Sequence, residues 1–444
     1  MAERIALVGG GAAGTLVAIH AIRRARTGGR SLEVTVIEPR PDLGAGIAYS
    51  TTAPEHRLNV RAEAMSAYPD EPADFMTWAE LPPSVFAPRG RFAEYLRACL
   101  ARELTAAGEA VAFRHVADRV TDVSRGDDRW TVTTSEGEIF VADHVVLATG
   151  NVLPEVPAWA ADITGHERFV TDPWTTGEWA PAHGDTVLAV GTGLTFVDLG
   201  LDVLATPGVN VIGVSRRGTL PAPHAPCAAV AEVPELRTPR DVIRWIREAG
   251  DGWRGAIDGL RPLSSHTWRS FTDEQQAQFL RHAMRFWDAH RHRMAPEAAS
   301  QLDAHQRSGR LRIVAARVTG ARTDSPRALS VELSDGATVL ADWLVLCTGP
   351  SPSALLRRTP VASLIAQGVA VPGPHGLGLS CDPTTGALID AHGRASESMW
   401  TIGPLRRGVL WETTAIREIR EQAMLLAGLL VGTADTAAAL TSSR

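Results

Sequence analysis

The chain contains no lysine: all 44 basic residues among its 444 are arginine. A mechanism that runs through a lysine Schiff base or a lysine general base is therefore excluded. Cysteine is scarce and scattered. Cys99, Cys227, Cys347 and Cys381 form no CxxC, so neither a disulfide framework nor a zinc site is indicated, and a redox cysteine pair is missing. Long apolar runs are also missing, since the longest stretch near the end, Met424 to Val431, is far too short to span a bilayer. Basic charge is not in excess: 44 arginines face 50 acidic residues, a net charge of −6. That balance argues against nucleic acid or an anionic membrane surface as a partner. No basic segment followed by an apolar one opens the chain, so a cytoplasmic protein is expected. Short-period repeats are absent, and the one biased tract is an Ala/Thr/Ser-rich tail from Thr433, expected to be frayed. What is present, 45% hydrophobic and 21% charged residues, suits a globular protein of two or three domains.

Two glycine-rich turns dominate the rest. The first, Gly9-Gly10-Gly11-Ala12-Ala13-Gly14, follows the apolar run Ile5 to Val8 and opens a segment with Leu16, Val17, Ile19 and Ile22 at helical spacing. In a strand, turn and helix of this kind, Gly9 permits the tight turn, Gly11 lets backbone approach phosphate, and Gly14 lets helix and strand pack closely. A dinucleotide pyrophosphate then sits over the helix N-terminus. A second strand, Glu33 to Ile37, ends in Glu38, whose carboxylate would accept hydrogen bonds from a ribose hydroxyl. A carboxylate there disfavours a 2′-phosphate, so FAD fits this site better than NADP.

The second turn, Gly191-Thr192-Gly193, follows the strand-like Thr186 to Val190, but Phe196 occupies the third glycine position, so the helix is expected slightly farther from the sheet. The next strand, Val209 to Val214, leads into Ser215-Arg216-Arg217-Gly218 where the first site has its glutamate. An arginine pair at that point is suited to the 2′-phosphate of NADPH.

The expected fold class is α/β, with two Rossmann-like dinucleotide-binding domains and the NADP domain inserted in the FAD domain. Val145 to Gly150 reads as a buried strand ending in small residues, and Leu344 to Gly349 nearly repeats it, which suggests that the chain leaves the first domain after Gly150 and returns near Gly349. The expected boundaries are 1–154 for the first part of the FAD domain, 155–343 for the NAD(P) domain, and 344–444 for the second part of the FAD domain. A helical insertion rich in Trp, His and Arg is expected over about 221–307, where no strand pattern occurs.

These features together resemble the two-dinucleotide-binding flavoprotein superfamily, which includes flavin-containing and N-hydroxylating monooxygenases. More specific stretches are Gly44 to Thr51 leading to His56-Arg57-Leu58-Asn59-Val60, then Asp74 to Trp78, Trp287 to Pro296, and Gly403 to Glu412. They resemble a bacterial FAD/NAD(P)-binding oxidoreductase family, with similarity to L-aspartate N-hydroxylase-type flavin monooxygenases. The resemblance implies flavin contacts at Asn59, Thr149, Gly150, Gly403 and Glu412. It also implies an enzyme that consumes NADPH and molecular oxygen, forms a C4a-hydroperoxyflavin and N-hydroxylates a small amino acid or amine for natural-product biosynthesis. An amine nucleophile must lose its proton, and His56 and His266 are candidates to accept it.

Other residues can be read on their own. Gly403-Pro404, then Gly408 and a helix expected to start near Glu412, would offer a positive helix terminus to the flavin pyrimidine. His282, His290 and His292 do not suggest a metal, because positions eight apart on a helix stand about 12 Å apart and positions two apart diverge. Arg291 and Arg293 are candidates to reach a substrate carboxylate or an NADP phosphate, the alternative being a solvated arginine face. Trp253-Arg254 and His266 to Arg269 are secondary pocket candidates, with Arg254 as the substrate contact. The sequence leaves open an NADPH-dependent reductase or dehydrogenase, a flavoprotein with no net redox chemistry, and a redox-sensing flavin-binding protein. It also leaves open whether the chain forms a homo-oligomer.

Overall fold

The structure is a computed structural model that describes residues 2–126, 128–174 and 179–432; the tail from Thr433 lies outside the described residues. The first domain begins with β1 (Glu3–Val8), β2 (Leu32–Ile37), β3 (Val111–Val116), a meander of β4 (Val120–Arg125), β5 (Trp130–Thr134) and β6 (Ile139–Ala142), and β7 (His144–Leu147). The second domain holds β8 (Phe169–Val170), β9 (Thr186–Val190), β10 (Asn210–Ser215), β11 (Leu311–Ala315), a meander of β12 (Val318–Ser325), β13 (Ala328–Leu333) and β14 (Thr338–Ala341), and β15 (Trp343–Leu346). β16 (Ala387–Ile389) and β17 (Ala395–Thr401) complete the first sheet, whose order is β16-β17-β7-β1-β2-β3. The second sheet runs β11-β10-β9-β15-β8.

The two domains follow one plan. Arg4 N donates to Asp143 Oδ2 at 2.9 Å, and the backbone returns the bond from Asp143 N to Arg4 O. In the second domain Thr186 N donates to Asp342 Oδ2 at 2.8 Å, with Asp342 N returning to Thr186 O. Gly9 N bonds Ile37 O at 2.9 Å as Gly191 N bonds Val214 O at 2.8 Å. Each aspartate thus pins the end of a meander to the start of the strand that carries the glycine turn.

This equivalence corrects one expected boundary. β15 pairs in parallel with β9 and β8 and belongs to the second sheet, so the return to the first domain falls after Gly349 rather than at Leu344. The near repeat of Val145–Gly150 at Leu344–Gly349 marks corresponding strands of two similar domains. Beyond it, Leu355, Val361 and Leu364 already pack in the core of the first domain with β4 and β5 residues.

The central strands of the two large sheets, β1, β2 and β7 in one and β9 and β15 in the other, are largely buried on both faces, as a covered parallel sheet requires. The helix Ala12–Thr27 packs on one face of the first sheet with Arg89–Ala107 and Ile416–Val431. Buried within it, His20 faces Ala67 O at 3.0 Å, and burial pushes its imidazole down to about 4. Between β10 and β11 the chain forms no strand; six helices, Pro239–Glu248 through Pro296–Arg307, follow an extended stretch from about residue 219. Their core of Ile246, Ile257, Leu260, Trp268, Phe279 and Trp287 also takes in Leu377 and Trp411 from the first domain. The insertion therefore bridges the domains. Trp268 Nε1 donates to Gly408 O at 2.8 Å, Ser265 Oγ to Leu410 O at 2.9 Å, and Arg261 grips Glu418 through two bonds of 2.8 and 3.0 Å.

Candidate functional site

At the first turn Gly9 adopts φ +103°, and a Cβ there would lie 2.5 Å from Ala148 O. A Cβ on Gly14 would lie 1.9 Å from Gly9 O, so these two positions admit no side chain. Gly11 instead faces Gly46 Cα, which a Cβ at position 11 would meet at 3.3 Å; a loop that the glycine pattern did not reveal therefore lies over the turn, and Gly44 N anchors it to Gly10 O at 2.8 Å. The helix that follows has no side-chain cap and no acidic residue in its first turn, leaving its N-terminal N–H groups for an anion. Glu38 is buried, and its Oε2 accepts from Gly10 N at 3.0 Å while Oε1 accepts from Arg40 N at 3.2 Å. The carboxylate braces the turn and still has lone pairs free for a ribose hydroxyl.

Thr149 lies beside Gly9, and its hydroxyl is buried without a partner. Gly403, at φ +75°, approaches Ala13: a Cβ at position 403 would lie 3.9 Å from the alanine Cβ. Thr413 Oγ1 donates to Gly403 O at 3.2 Å and Gln422 Nε2 donates to Thr413 Oγ1 at 3.0 Å. Gly9, Gly11, Gly14, Glu38, Thr149, Gly150 and Gly403 thus gather at the carboxyl ends of β1, β2, β7 and β17. The C-terminal helix begins at Ile416 rather than near Glu412. Trp411 adopts φ +62°, which breaks the short helix before it, and the chain needs the next four residues to turn into the long one.

The second turn repeats the first. Gly191 has φ +104° and a Cβ there would lie 2.4 Å from Cys347 O, whereas a Cβ on Gly193 would meet nothing within 4 Å. Helix Leu194–Ala205 is likewise uncapped by any side chain. Thr192 Oγ1 donates to Thr219 O at 2.6 Å and lies 2.8 Å from Ser215 Oγ, tying the turn to the segment after β10. Phe196, in place of a third glycine, is fully buried beneath Gly213, where a Cβ would sit 2.7 Å from its ring. Arg216 and Arg217 are exposed and make no ion pair among the described residues. Burial and the nearby Arg285, Arg317 and Arg217 lower the Arg216 guanidinium from its ordinary value. Such mutual repulsion without an acid is relieved by a bound polyanion.

The remaining expected site residues separate. His266 is exposed on helix Ser264–Ser270, which does not suit a base for a water-excluded site. His56 is buried, with Nδ1 2.7 Å from Thr51 Oγ1, its ring 5.8 Å from Trp174, and Nε2 without a partner. Beside it Arg89 pairs with Asp198 of the second domain at 2.9 Å, and burial raises the Asp198 carboxyl against the pull of Arg89 and His56. Asn59 gives its carbonyl to His224 Nε2 at 2.9 Å. Arg254 donates twice to Pro223 O and stacks over Trp253, so it is engaged locally.

Arg291 and Arg293 form no solvated face. Both are buried: Arg293 bonds Asp258, and Arg291 lies 3.2 Å from Glu412 Oε2. Glu412 is itself buried and accepts from Trp287 Nε1 at 2.9 Å. Burial would raise its carboxyl, but Arg291, His292, the Trp287 bond and Arg261 outweigh it and hold the group below the usual range. Each arginine thus has an internal carboxylate partner, while Arg291 Nε and Arg293 Nε and Nη1 are buried without a hydrogen bond among the described residues.

A polar cavity of about 100 Å³ is lined by Asn151, Asp288, His292, Pro350, Arg407, Trp411, Glu412 and Thr414. Asn151 and Pro350 follow the carboxyl ends of β7 and β15, so the cavity lies where the two domains cross, the customary place for ligands of open parallel sheets. Asp288 and His292 come from the end of helix Met284–Arg291, which a π-helical turn, Phe279–Ala283, precedes. Arg407 falls within the Gly403 to Glu412 stretch, but the sequence does not single it out, because the cavity is assembled from four distant segments.

Thiol chemistry has no support in this arrangement. Cys99, Cys347 and Cys381 are buried, and burial pushes the thiols up, that of Cys99 to about 12. Cys227 is exposed and lies against Asp258. Among the described residues, no group of three His, Cys, Asp or Glu side chains is arranged to hold a metal ion.

Two glycine-turn domains, one inserted in the other, with paired meanders and uncapped helix N-termini, define a fold of two Rossmann-like dinucleotide-binding domains. Residues 6–152 match the FAD-NAD(P)-binding family. No curated protein sequence matches the chain. Among solved structures it is similar to the reduced form of ornithine hydroxylase from Pseudomonas aeruginosa, at 16% identity and TM-score 0.61, over 97% of this chain and 99% of that one. It is also similar to L-lysine 6-monooxygenase from Pseudomonas syringae, at 18% identity and TM-score 0.58, over 100% of both chains. Bacillithiol disulfide reductase from Staphylococcus aureus shares the fold at 13% identity and TM-score 0.56, over 100% of this chain and 99% of that one.

Proposed function

We propose that the protein is an FAD-dependent, NADPH-consuming oxidoreductase, and that it acts as a monooxygenase that N-hydroxylates a small amino acid or amine. The observation that carries the redox reading is the pair of matched cradles, Gly9 to Gly14 with Glu38, and Gly191 to Gly193 with Arg216 and Arg217, each opening on an uncapped helix N-terminus. The residues fit the two groups: Gly193 leaves open space beside the backbone for a pyrophosphate, the helix after Gly11 has free N-terminal N–H groups, Thr149 has a buried hydroxyl to offer, and an acid stands at one ribose site and arginines at the other. FAD and NADPH, when bound, supply hydride transfer and the activation of molecular oxygen.

The chain's own residues position and exclude. Arg216 and Arg217 select a 2′-phosphate. Glu412, held by Trp287 and Arg291, fixes the segment before the C-terminal helix against the helical insertion. The insertion core over Trp268 and Trp411 keeps water from the junction of the domains. The scattered thiols, three of them buried and the exposed Cys227 far from the others in sequence, favour oxygen as acceptor over a disulfide. Arg254, Arg291, Arg293 and His266 take no part in substrate binding or proton transfer in this proposal, and His56 is a buried group held by Thr51 near the Arg89–Asp198 pair.

No helix among the described residues is long and apolar enough to cross a membrane, and action in the cytoplasm is part of the proposal. The test is product stoichiometry. The purified flavoprotein is given NADPH and oxygen with a panel of small amino acids and diamines, and hydroxylamine, hydrogen peroxide and oxygen uptake are measured together. One hydroxylamine formed per NADPH with one panel member is the expected result. Turnover that persists without oxygen, or that yields peroxide alone with every member, would move the protein to the reductase or dehydrogenase class.

A further inference from the structure

The cavity where the domains cross contains opposite charges that face each other without pairing. Arg407 lines it, and among the described residues no carboxylate lies within ion-pair distance of its guanidinium, which instead rests 4.6 Å over the Trp411 ring. Asp288 lines the same space; burial raises its carboxyl against the pull of His292 and Arg407, and no ion pair joins it to Arg407. Glu412 is already committed to Arg291 and Trp287. His292 Nε2 lies 3.9 Å from Asp288 Oδ1. Burial pushes the His292 imidazole down, so it is neutral beside the carboxyl.

Trp411 supplies a second, independent sign. It is 6% exposed, its Nε1 has no hydrogen-bond partner, and its backbone sits at φ +62°. A buried indole N–H is normally satisfied, and a bulky residue at positive φ is uncommon outside ligand clamps and switches. Trp268 stacks on the ring at 5.0 Å and holds it in place. The π-helical turn ahead of Asp288 and His292 is a further irregularity of the kind found at functional sites. The volume of about 100 Å³ corresponds to roughly three waters, enough for the head of a small polar molecule.

We propose that this cavity is the substrate subsite and that it takes the zwitterionic head of a small α-amino acid, with Arg407 and the Trp411 N–H on the carboxylate and Asp288 with His292 on the ammonium. The inference rests on the amino-acid reading of the substrate given above, and it replaces Arg291 and Arg293 by Arg407 as the anion anchor.

The test is binding, not turnover. Oxidised holoprotein, without NADPH and under argon, is titrated with L-alanine, ethylamine and propionate, and with L-ornithine, putrescine and 5-aminovalerate, while flavin difference spectra and tryptophan fluorescence are followed. At least one amino acid is expected to give saturable change with a Kd at least tenfold below that of its decarboxylated amine. Arg407→Gln raises that Kd at least tenfold, and Asp288→Asn weakens the amino acid but not the partner that lacks the α-ammonium. Flavin content and melting temperature control for folding, and the wild-type comparison of acid with amine needs no variant. The inference is overturned by an absence of saturable change with both amino acids, by equal binding of the amine, by an unchanged Kd in Arg407→Gln, or by loss of binding when NADP⁺ is added, which would make the space the cofactor's. A protein that binds the amino acid but forms no hydroxylamine loses the monooxygenase reading and keeps this one.

Discussion

Gly193→Ala separates the fold from the ligand at the second turn. The residue is the N-cap of helix Leu194–Ala205 with φ −81° and ψ −165°, an extended conformation that alanine adopts without strain. A Cβ there meets nothing within 4 Å, so the protein itself should lose no more than about 0.5 kcal/mol. The same methyl, however, projects where a pyrophosphate must come within about 3 Å of the backbone N–H groups. Displacing it is expected to cost about 1.4 to 2.7 kcal/mol of NADPH binding, a ten- to hundredfold rise in Kd. Gly191→Ala is the counterpart: at φ +104°, with Cys347 O 2.4 Å from the new Cβ, it carries about 1 to 3 kcal/mol of backbone strain in addition to the clash. Melting temperature and anaerobic flavin reduction at varied NADPH would be measured for both. The expectation is an unchanged melting temperature with a much weaker NADPH response in Gly193→Ala, and a lowered melting temperature in Gly191→Ala, with FAD retained in the former. A Gly193→Ala protein reduced by NADPH at wild-type concentrations would refute the placement of the dinucleotide over this helix.

Two more outcomes follow from particular side chains. Replacing Arg216 and Arg217 by serine removes two charge-assisted contacts worth about 3 kcal/mol together, so the kcat/KM for flavin reduction should fall roughly a hundredfold with NADPH and little with NADH; an unchanged ratio of the two cofactors would sink the 2′-phosphate assignment. His20 has its folded pKa near 4 against 6.5 unfolded, so the unfolded chain binds the extra proton between those values. Its contribution to stability is intact above pH 6.5 and is lost as the pH falls toward 4, on the order of 3 kcal/mol in all. Denaturant melts of wild type and His20→Gln at pH 7.5 and 4.5 check this, and equal pH dependence in the two proteins would show that the buried imidazole is not responsible.

Both dinucleotide cradles were legible in the amino-acid order because each is built within about 30 consecutive residues: a strand, a glycine at positive φ, a helix, and a second strand with its terminal acid or arginines. A positive φ and an uncapped helix start are local properties, and the glycines state them directly. The side of β15 on which the boundary falls is not legible for a related reason. A repeated strand ending looks the same whether it closes the first domain again or closes a second domain of the same plan, and only pairing with β9 and β8 distinguishes the two.

What the sequence determined by itself, then, is the pair of nucleotide turns, the likeness of their surroundings, the lack of a thiol pair, and the helical character of the insertion. The partners of its arginines were decided by the tertiary structure. Arg291 and Arg293 stand in a charged, aromatic stretch that reads as a reaching surface, yet the fold buries them on Glu412 and Asp258. Arg407 lies within the Gly403 to Glu412 stretch with nothing to set it apart, and the packing of helix Met284–Arg291 against the segment around Trp411 leaves it lining a cavity without an ion-pair partner among the described residues. The physical reason is range. Backbone conformation is set by neighbours in the chain, whereas the fate of a charge depends on which opposite charges and which water the fold leaves beside it.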